Sequence, residues 1–391
     1  MYKRIFTVVI DSVGIGALPD AEKYGDLGAN TIRSTSLNRG LNVPNLEKMG
    51  IGHLTDIEGV SNTNQTIGYF ARAGELSDGK DTLTGHWEMM GVEVKTPFKV
   101  FTDTGFPKDL IDEIEKMTNR KVVGNYSASG TEIIKELGED HVKDGNLIVY
   151  TSADSVLQIA ANEDVVPIEE LWDICKKVRK LTMAEQWRVA RIIARPFIGS
   201  TKDTFERTSN RHDYALDPYG QTVLDTLKKS DLDVIALGKI NDIFNNNGIT
   251  EYEYTVSNHD GMEKLIKTLD KDFKGLCFLN LVDFDAKYGH RRNPDGYANA
   301  LEEFDVQLGK VLENLDKDDL LIVTADHGND PRHPGSDHTR EYIPVLAYSK
   351  QMKESSKLAD FDSFSCIGAT IAANFDVEMP VIGQSILEKL K

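Results

Sequence analysis

The sequence predicts an α/β protein: a doubly wound, mostly parallel sheet with an α+β domain inserted into it. Three observations carry this reading. Three apolar segments, FTVVID, LCFLNLVDFD and LLIVTAD, run without polar alternation and end at Asp11, Asp285 and Asp326, as strands buried on both faces of a parallel sheet do. Segments whose apolar residues recur at three and four lie between and around them. The chain has 391 residues, beyond the roughly 250 to 300 at which one hydrophobic core stops growing, so two domains are expected.

In chain order, the first strand is the run from Ile5 to Ile10, closed by Asp11. Its six residues lack the length and the small-residue cleavage site of a signal peptide, so a cytoplasmic protein is expected. The middle of the chain reads differently. KVVGNY, NLIVYTSADS and WRVARIIARPFIG are predicted strands around two helices, near 130–139 and 167–181, and form a self-contained α+β unit. Its edges are placed at the Pro97 region and at the turn-rich NRHDYALDPYG. The expected domains are a discontinuous core, 1–95 with 217–391, and a cap, 96–216. Helices are then predicted over TVLDTLKKS (222–230), GMEKLIKTLDK (261–271) and YANALEEFDVQLGKVLENLDK (297–317), alternating with the two later strands. In such sheets ligands bind beyond the carboxyl ends of the strands, where Asp11, Asp285 and Asp326 converge.

Composition narrows the function. The net charge of −18 excludes the basic footprint that holds nucleic acid or anionic membranes, and no run of about eighteen apolar residues spans a bilayer. Cys175, Cys277 and Cys366 are odd in number, far apart and without a CxxC pattern, which predicts buried thiols rather than disulfides or a thiolate metal site. No heptad or dimer patch is visible, and a monomer is expected.

The stretch TADHGNDPRHPGSDHTREYIP concentrates aspartates and histidines just after a strand. A strand-end aspartate is commonly a helix cap or turn former, and a single histidine is usually a hydrogen-bonded surface residue. A cluster of carboxylates on one sheet edge is another matter, because it repels itself unless cations lie between. Asp11, Asp285, His290, Asp326, His327 and His338 are the candidate ligands, a donor set for two divalent metals, Mn²⁺ or Zn²⁺ and less readily Mg²⁺. Because AKYG separates Asp285 from His290, a loop is expected to bring them to one ion. His333 and Asp337 share the later loop without separate support as ligands. A second segment, SDGKDTLTGHWEMMG, places Thr82 and Thr84 at a helix start, where backbone N–H groups and the dipole favour an anion. Spacing does not choose between them, nor between a nucleophile and an N-cap.

Taken together, DSVGIG, DTLTGHWEMMG, VDFDAKYGHRR, TADHGND and GSDHTREYIPVL resemble the alkaline phosphatase superfamily, and within it the bacterial mutases of pentose phosphates. The likeness runs over nearly the whole chain, including YTSADSVLQIAANE and RPFIG in the cap. It implies a core of alkaline phosphatase type. The related cofactor-independent phosphoglycerate mutases carry a nucleophilic serine four residues before the histidine of a Gly-His pair, which selects Thr82, four before His86. The resemblance also implies one metal on Asp11, Asp326 and His327, with the Thr82 oxygen or its phosphate as a further ligand, another on Asp285, His290 and His338, and Mn²⁺ as the metal. The implied reaction interconverts (deoxy)ribose 1-phosphate and 5-phosphate through a phosphothreonine and a sugar bisphosphate, with glucose 1,6-bisphosphate or a similar compound as activator. A phosphothreonine open to water would hydrolyse, which motivates a cap. Arg195, Arg207 and Arg211 of the cap and the strand-end Lys239 are candidates for holding phosphate, or else surface cations. Asp154 is a candidate partner of sugar hydroxyls, or else a turn former, and Trp87 is expected to pack. A metal-dependent phosphomonoesterase or a noncatalytic phosphosugar-binding protein are the alternatives.

Overall fold

A computed structural model describes residues 1–152 and 155–390. It forms two compact units, Met1–Thr96 with Asp217–Lys391, and Pro97–Leu216. No helix among the described residues is long and apolar enough to cross a membrane.

The first unit is built on eight strands. Across the sheet their order is Glu251–Glu253, Asp233–Leu237, Gly275–Asn280, Arg4–Val9, Asp319–Thr324, Ile343–Tyr348, Tyr69–Ala73 and Ser356–Lys357. Only Ile343–Tyr348 runs antiparallel to its neighbours, so the sheet is mostly parallel. The central strand Arg4–Val9 is buried along its whole length. That is why it carries no polar alternation: helices cover both faces of a parallel sheet and each apolar side chain buried there contributes roughly 1.5 to 3 kcal/mol.

Register sets the site. Val9 pairs with Asn280 on one side and Thr324 on the other, so the three chains leave the sheet in line. Asp11 and Asp326 then lie two residues beyond paired positions, and Asp285 a short turn further. The helices are anchored by their caps: Thr222 and Asp225 form a reciprocal capping box, Ser257 accepts from the Asp260 N–H, and Asn293 precedes Pro294 and accepts from the Gly296 N–H. Each satisfies amide groups a helix start leaves unpaired. The long helix Pro294–Asn314 packs on Asn258–Leu269.

The second unit is a sheet of six strands, with Val122–Ser127, Leu147–Thr151, Val156–Asn162, Arg191–Ile198 and Glu206–Arg207 in that order and His212–Ala215 paired to Arg191–Ile198. One face packs on Lys108–Thr118 and Ile168–Leu181 through Leu110, Ile114, Leu171 and Val178, the other on Gly130–Asp144 through Ile133 and Ile134. Two details depart from the sequence reading. The apolar segment after Asn146 ends as a strand at Thr151, and a separate antiparallel strand begins at Val156. The helix Lys108–Thr118, with Pro107 at its start, is additional to the two helices expected in this unit; Leu110, Ile111 and Ile114 follow its helical period. All three cysteines are buried and free.

Candidate active site

At the carboxyl edge of the first unit's sheet, the six candidate ligands meet. His327 Nε2 lies 3.5 Å from Asp11 Oδ1 and 3.3 Å from Asp326 Oδ2, and Asp11, Asp326 and His327 form one group able to hold a metal. Beside it, His290 Nε2 is 3.1 Å from Asp285 Oδ2 and 3.1 Å from His338 Nε2, while His338 Nε2 is 3.4 Å from Asp285 Oδ1. The rings of His327 and His338 stack at 4.0 Å, joining the two halves.

A turn of helix, not a loop, brings Asp285 and His290 together. Phe284–Gly289 is a single wide π turn, and the His290 N–H donates to the Asp285 carbonyl five residues back. Five residues make slightly more than one π turn, so the two side chains leave the same side. Such turns insert one residue into a helix and recur at functional sites.

The donor atoms are arranged for cations. Asp11 Oδ1 and Asp326 Oδ2 are buried without a hydrogen-bond donor among the described residues, a costly condition for a carboxylate unless a cation completes it. His327 Nδ1 is turned to the Gly328 carbonyl at 3.0 Å and His290 Nδ1 to that of Ser336 at 2.7 Å. With the ring proton on Nδ1, each Nε2 presents its lone pair inward. Burial and the charges of Asp326 and Asp285 push Asp11 well above the usual carboxyl range. Burial would raise Asp285 as well, but His338 and His290 hold it well below. His327 is lowered by burial yet raised on balance by Asp326, Asp11 and Asp285. These residues fit divalent metal: too much negative charge in one dry place, imidazole lone pairs directed at it, and two groups able to hold an ion, Asp11, Asp326 and His327 and Asp285, His327 and His338, that share His327.

Thr82 opens the helix Thr82–Met89, and Asp81 caps it by accepting from the Leu83 and Thr84 N–H groups. Thr82 Oγ1 lies 3.2 Å from His327 Nε2, at the edge of the first ligand group. Thr84 Oγ1 instead donates to Asp81 Oδ2 at 2.6 Å and is part of the cap. His86 Nδ1 donates to the Thr82 carbonyl at 2.8 Å and stands 3.2 Å from Asp326 Oδ2, tying the helix to a ligand. Trp87 is fully buried and donates to the Ile243 carbonyl, a packing role.

Several participants carry no signal in the sequence. Asn280 Nδ2 donates to Asp11 Oδ2 at 2.8 Å and Asn329 Nδ2 to Asp285 Oδ1 at 2.7 Å, so each of these carboxylates is oriented by an amide. Ser12 adopts a left-handed backbone with φ 66°, which aims its N–H at Asp326 Oδ1, 3.0 Å away. Tyr297 supports it through the Ser12 hydroxyl at 2.9 Å. Glu341 is buried and accepts from the Gly16 and Thr31 N–H groups and from the Thr31 and Thr339 hydroxyls at 2.7 to 3.0 Å. Glu341→Gln turns an amide NH₂ toward donors and is expected to lower stability by about 2 kcal/mol, measured as the melting midpoint. Burial pushes Glu341 up to about 7, so the unfolded chain loses this proton first and the side chain's contribution declines as pH rises toward 7. The deficit of the glutamine variant should accordingly be larger at pH 5 than at pH 8.

Of the remaining candidates, Lys239 is half-buried at the end of Asp233–Leu237, and its charge is among those that lower Asp11. Arg195, Arg207 and Arg211 share a cleft of the second unit with Thr131. Arg195 Nε donates to Gln158 at 3.0 Å, and Arg211 pairs with Asp213 at 2.7 Å. Tyr150 lies near these arginines, buried, its hydroxyl without a partner among the described residues. Asp154 lies outside the described residues.

A doubly wound sheet whose strand ends gather carboxylates and imidazoles around a helix-borne threonine defines a metal-dependent enzyme of the α/β class. The sequence agrees: residues 3–379 match the model of the metalloenzyme superfamily. Phosphopentomutases of Clostridium perfringens, from strain 13 and strain SM101, are each 58% identical over 393 residues, covering 100% of this chain and 99% of the relative. The chain belongs to the phosphopentomutase family of that superfamily, and is an enzyme of the isomerase class. Among solved structures, the PH0037 protein of Pyrococcus horikoshii shares the fold at a TM-score of 0.51 and 13% identity, covering 96% of this chain and 97% of that one.

Proposed function

We propose that the protein interconverts the 1-phosphate and 5-phosphate of ribose or deoxyribose through a phosphorylated Thr82 and a sugar bisphosphate. The observation that carries this reading is the place of the Thr82 hydroxyl, 3.2 Å from His327 Nε2 at the head of a helix and beside two groups of metal ligands. Two divalent ions, taken as Mn²⁺, are assigned to Asp11, Asp326 and His327 and to Asp285, His290 and His338. When bound, they supply charge neutralisation for the phosphoryl oxygens and make a hydroxyl acidic at neutral pH.

The chain's own groups do the rest. In the transfer, the bond from phosphorus to the donor oxygen breaks as the bond to a Thr82 or sugar oxygen forms, and charge spreads over the equatorial oxygens. The helix start at Thr82 directs its dipole at that charge. His86 fixes the turn carrying Thr82, and Asn280 and Asn329 keep Asp11 and Asp285 turned for binding. Returning the other phosphate of the bisphosphate to Thr82 completes the isomerisation without a net change in the enzyme. A trace of glucose 1,6-bisphosphate would phosphorylate Thr82 for the first cycle. Arg195, Arg207, Arg211 and Lys239 are proposed to bind the substrate's phosphate, which matches the planar fork of arginine. Asp154 is proposed to accept from sugar hydroxyls. The protein is proposed to act as a cytoplasmic monomer.

The test is turnover of ribose 5-phosphate followed by phosphorus NMR, with Mn²⁺ and a trace of glucose 1,6-bisphosphate. Appearance of ribose 1-phosphate with little inorganic phosphate is expected. Release of inorganic phosphate as the main product would replace this reading with a phosphomonoesterase, and no turnover by the metal-loaded protein would leave a binding protein.

A further inference from the structure

The segment after His338 reads Thr339, Arg340, Glu341, and no metal or substrate role accounts for its arginine. Arg340 is 2% exposed, yet none of its donors faces water or the ligand groups. Nη1 donates to Glu75 Oε2 at 2.8 Å and to the carbonyls of Ser77 at 2.8 Å and Gly79 at 2.6 Å. Nη2 donates to the Glu75 carbonyl at 2.9 Å and to Asp20 Oδ2 at 3.1 Å, and Nε to Asp20 Oδ1 at 3.2 Å. The carbonyls of residues 75, 77 and 79 thus turn toward one guanidinium, around which the chain bends on its way to Thr82.

From the other side, Glu88 accepts from the Leu76 and Ser77 N–H groups at 2.9 and 2.6 Å. The backbone of Arg340 is itself fixed, its N–H donating to Asp26 Oδ2 at 2.9 Å. Lys80 bridges Asp26 at 3.0 Å and Asp337 at 3.1 Å. Adjacent residues of an extended segment point to opposite sides. Glu341 accordingly grips Gly16 and Thr31 near the Asp11 turn, while Arg340 grips the segment that leads to Thr82.

We propose that Arg340 is the positioning residue for Thr82, holding the 75–79 segment at a fixed distance from the loop that carries His338, two residues away. It rests on the reading of Thr82 as the phosphoryl acceptor. The guanidinium of Arg340 is engaged by Asp20, Glu75 and the carbonyls of residues 75, 77 and 79, and in that position it fixes where the Thr82 hydroxyl stands relative to the candidate ligands. Only a guanidinium has enough N–H groups in the required fork, so lysine does not substitute.

The test compares wild type with Arg340→Lys and Asp20→Asn, the second loosening the grip from a more exposed acceptor, and runs Thr82→Ala alongside. Isomerisation kinetics, bound Mn²⁺ and amide hydrogen exchange over residues 76–82 are measured on each full-length protein. Misplacing a reacting group by about 1 Å costs on the order of 100-fold. Arg340→Lys should therefore lose about 10- to 100-fold in kcat, with KM and Mn²⁺ content as in wild type and faster exchange in that segment. Asp20→Asn should show the same split at smaller amplitude, and it decides the matter if the lysine variant does not fold. Wild-type kcat in a folded variant overturns the proposal, as does a loss carried by KM or matched by loss of Mn²⁺. If Thr82→Ala still isomerises, the reading of Thr82 itself has failed; if that variant is inactive while Arg340→Lys and Asp20→Asn are normal, only the present inference has.

Discussion

Thr82→Ala is expected to abolish isomer exchange while leaving the fold, and the carboxylates and imidazoles of the candidate ligand groups, in place. Its side chain is almost buried at 6% exposure and makes one polar contact among the described residues, with His327, so truncation removes little packing. On the proposed reaction it removes the oxygen to which phosphorus bonds. Deleting the nucleophile of an enzyme that works through a covalent intermediate costs on the order of 10⁴-fold or more, because the remaining groups then lack an acceptor. Thr82→Ser keeps the hydroxyl and should retain measurable turnover, reduced because a serine side chain is less restricted about χ1. Intact-mass measurement after incubation with glucose 1,6-bisphosphate gives a second view. A phosphoryl adduct is expected on wild type and Thr82→Ser and absent from Thr82→Ala. An adduct on the alanine variant, or exchange at the wild-type rate, would remove Thr82 from the role; Thr84, already committed to Asp81, would be the next hydroxyl to replace.

What the sequence made legible depended on how local the cause was. An apolar run without alternation has to be buried on both faces, which sets a parallel sheet, and parallel register carries the residues just beyond such runs to one edge. That chain of reasoning reaches Asp11, Asp285 and Asp326 from pattern alone. AKYG has no helical period long enough to distinguish a turn of helix from a loop between Asp285 and His290; the π turn shows only in the i to i+5 hydrogen bond. Asn280 was hidden inside LCFLNLVDFD, where one polar residue in a buried strand has no explanation until Asp11 is found beside it. Arg340 was the same kind of case: a buried arginine is expensive unless saturated, and its acceptors come from residues 20 and 75–79, far away in the chain. The strands Tyr69–Ala73 and Ile343–Tyr348 have no clear sequence pattern, because YFARA mixes charge into a short edge-side strand and Pro344 interrupts the other.

Removing the metals should abolish turnover and lower the melting temperature together, and Asp11→Asn should separate the two effects. A ligand bound only by the folded state stabilises by about 2.7 kcal/mol at a concentration 100 times its Kd, so chelation of a Mn²⁺-saturated sample should bring a clear downward shift. In the metal-free protein, however, Asp11 is a liability. It is buried, pushed up by burial and by Asp326 and Asp285, with Oδ1 unsatisfied. Asparagine is uncharged, like the protonated carboxyl, and removes a candidate ligand. The variant should therefore melt no lower than wild type when both are metal-free, bind Mn²⁺ at least 10-fold more weakly, the lower end of what disturbing a metal ligand's surroundings costs, and be inactive. A metal-free melting point well below that of wild type would mean that Asp11 serves the fold and not the ions. Binding should also release protons. Without metal, Asp11 and His327 both hold their protons to higher pH than they ordinarily would, and a cation must displace them. Mn²⁺ affinity should accordingly rise with pH through the neutral range and level off once both groups are deprotonated. Calorimetric titration in two buffers of different ionisation enthalpy would measure that release directly, and it should shrink in Asp11→Asn, which has one proton fewer to displace.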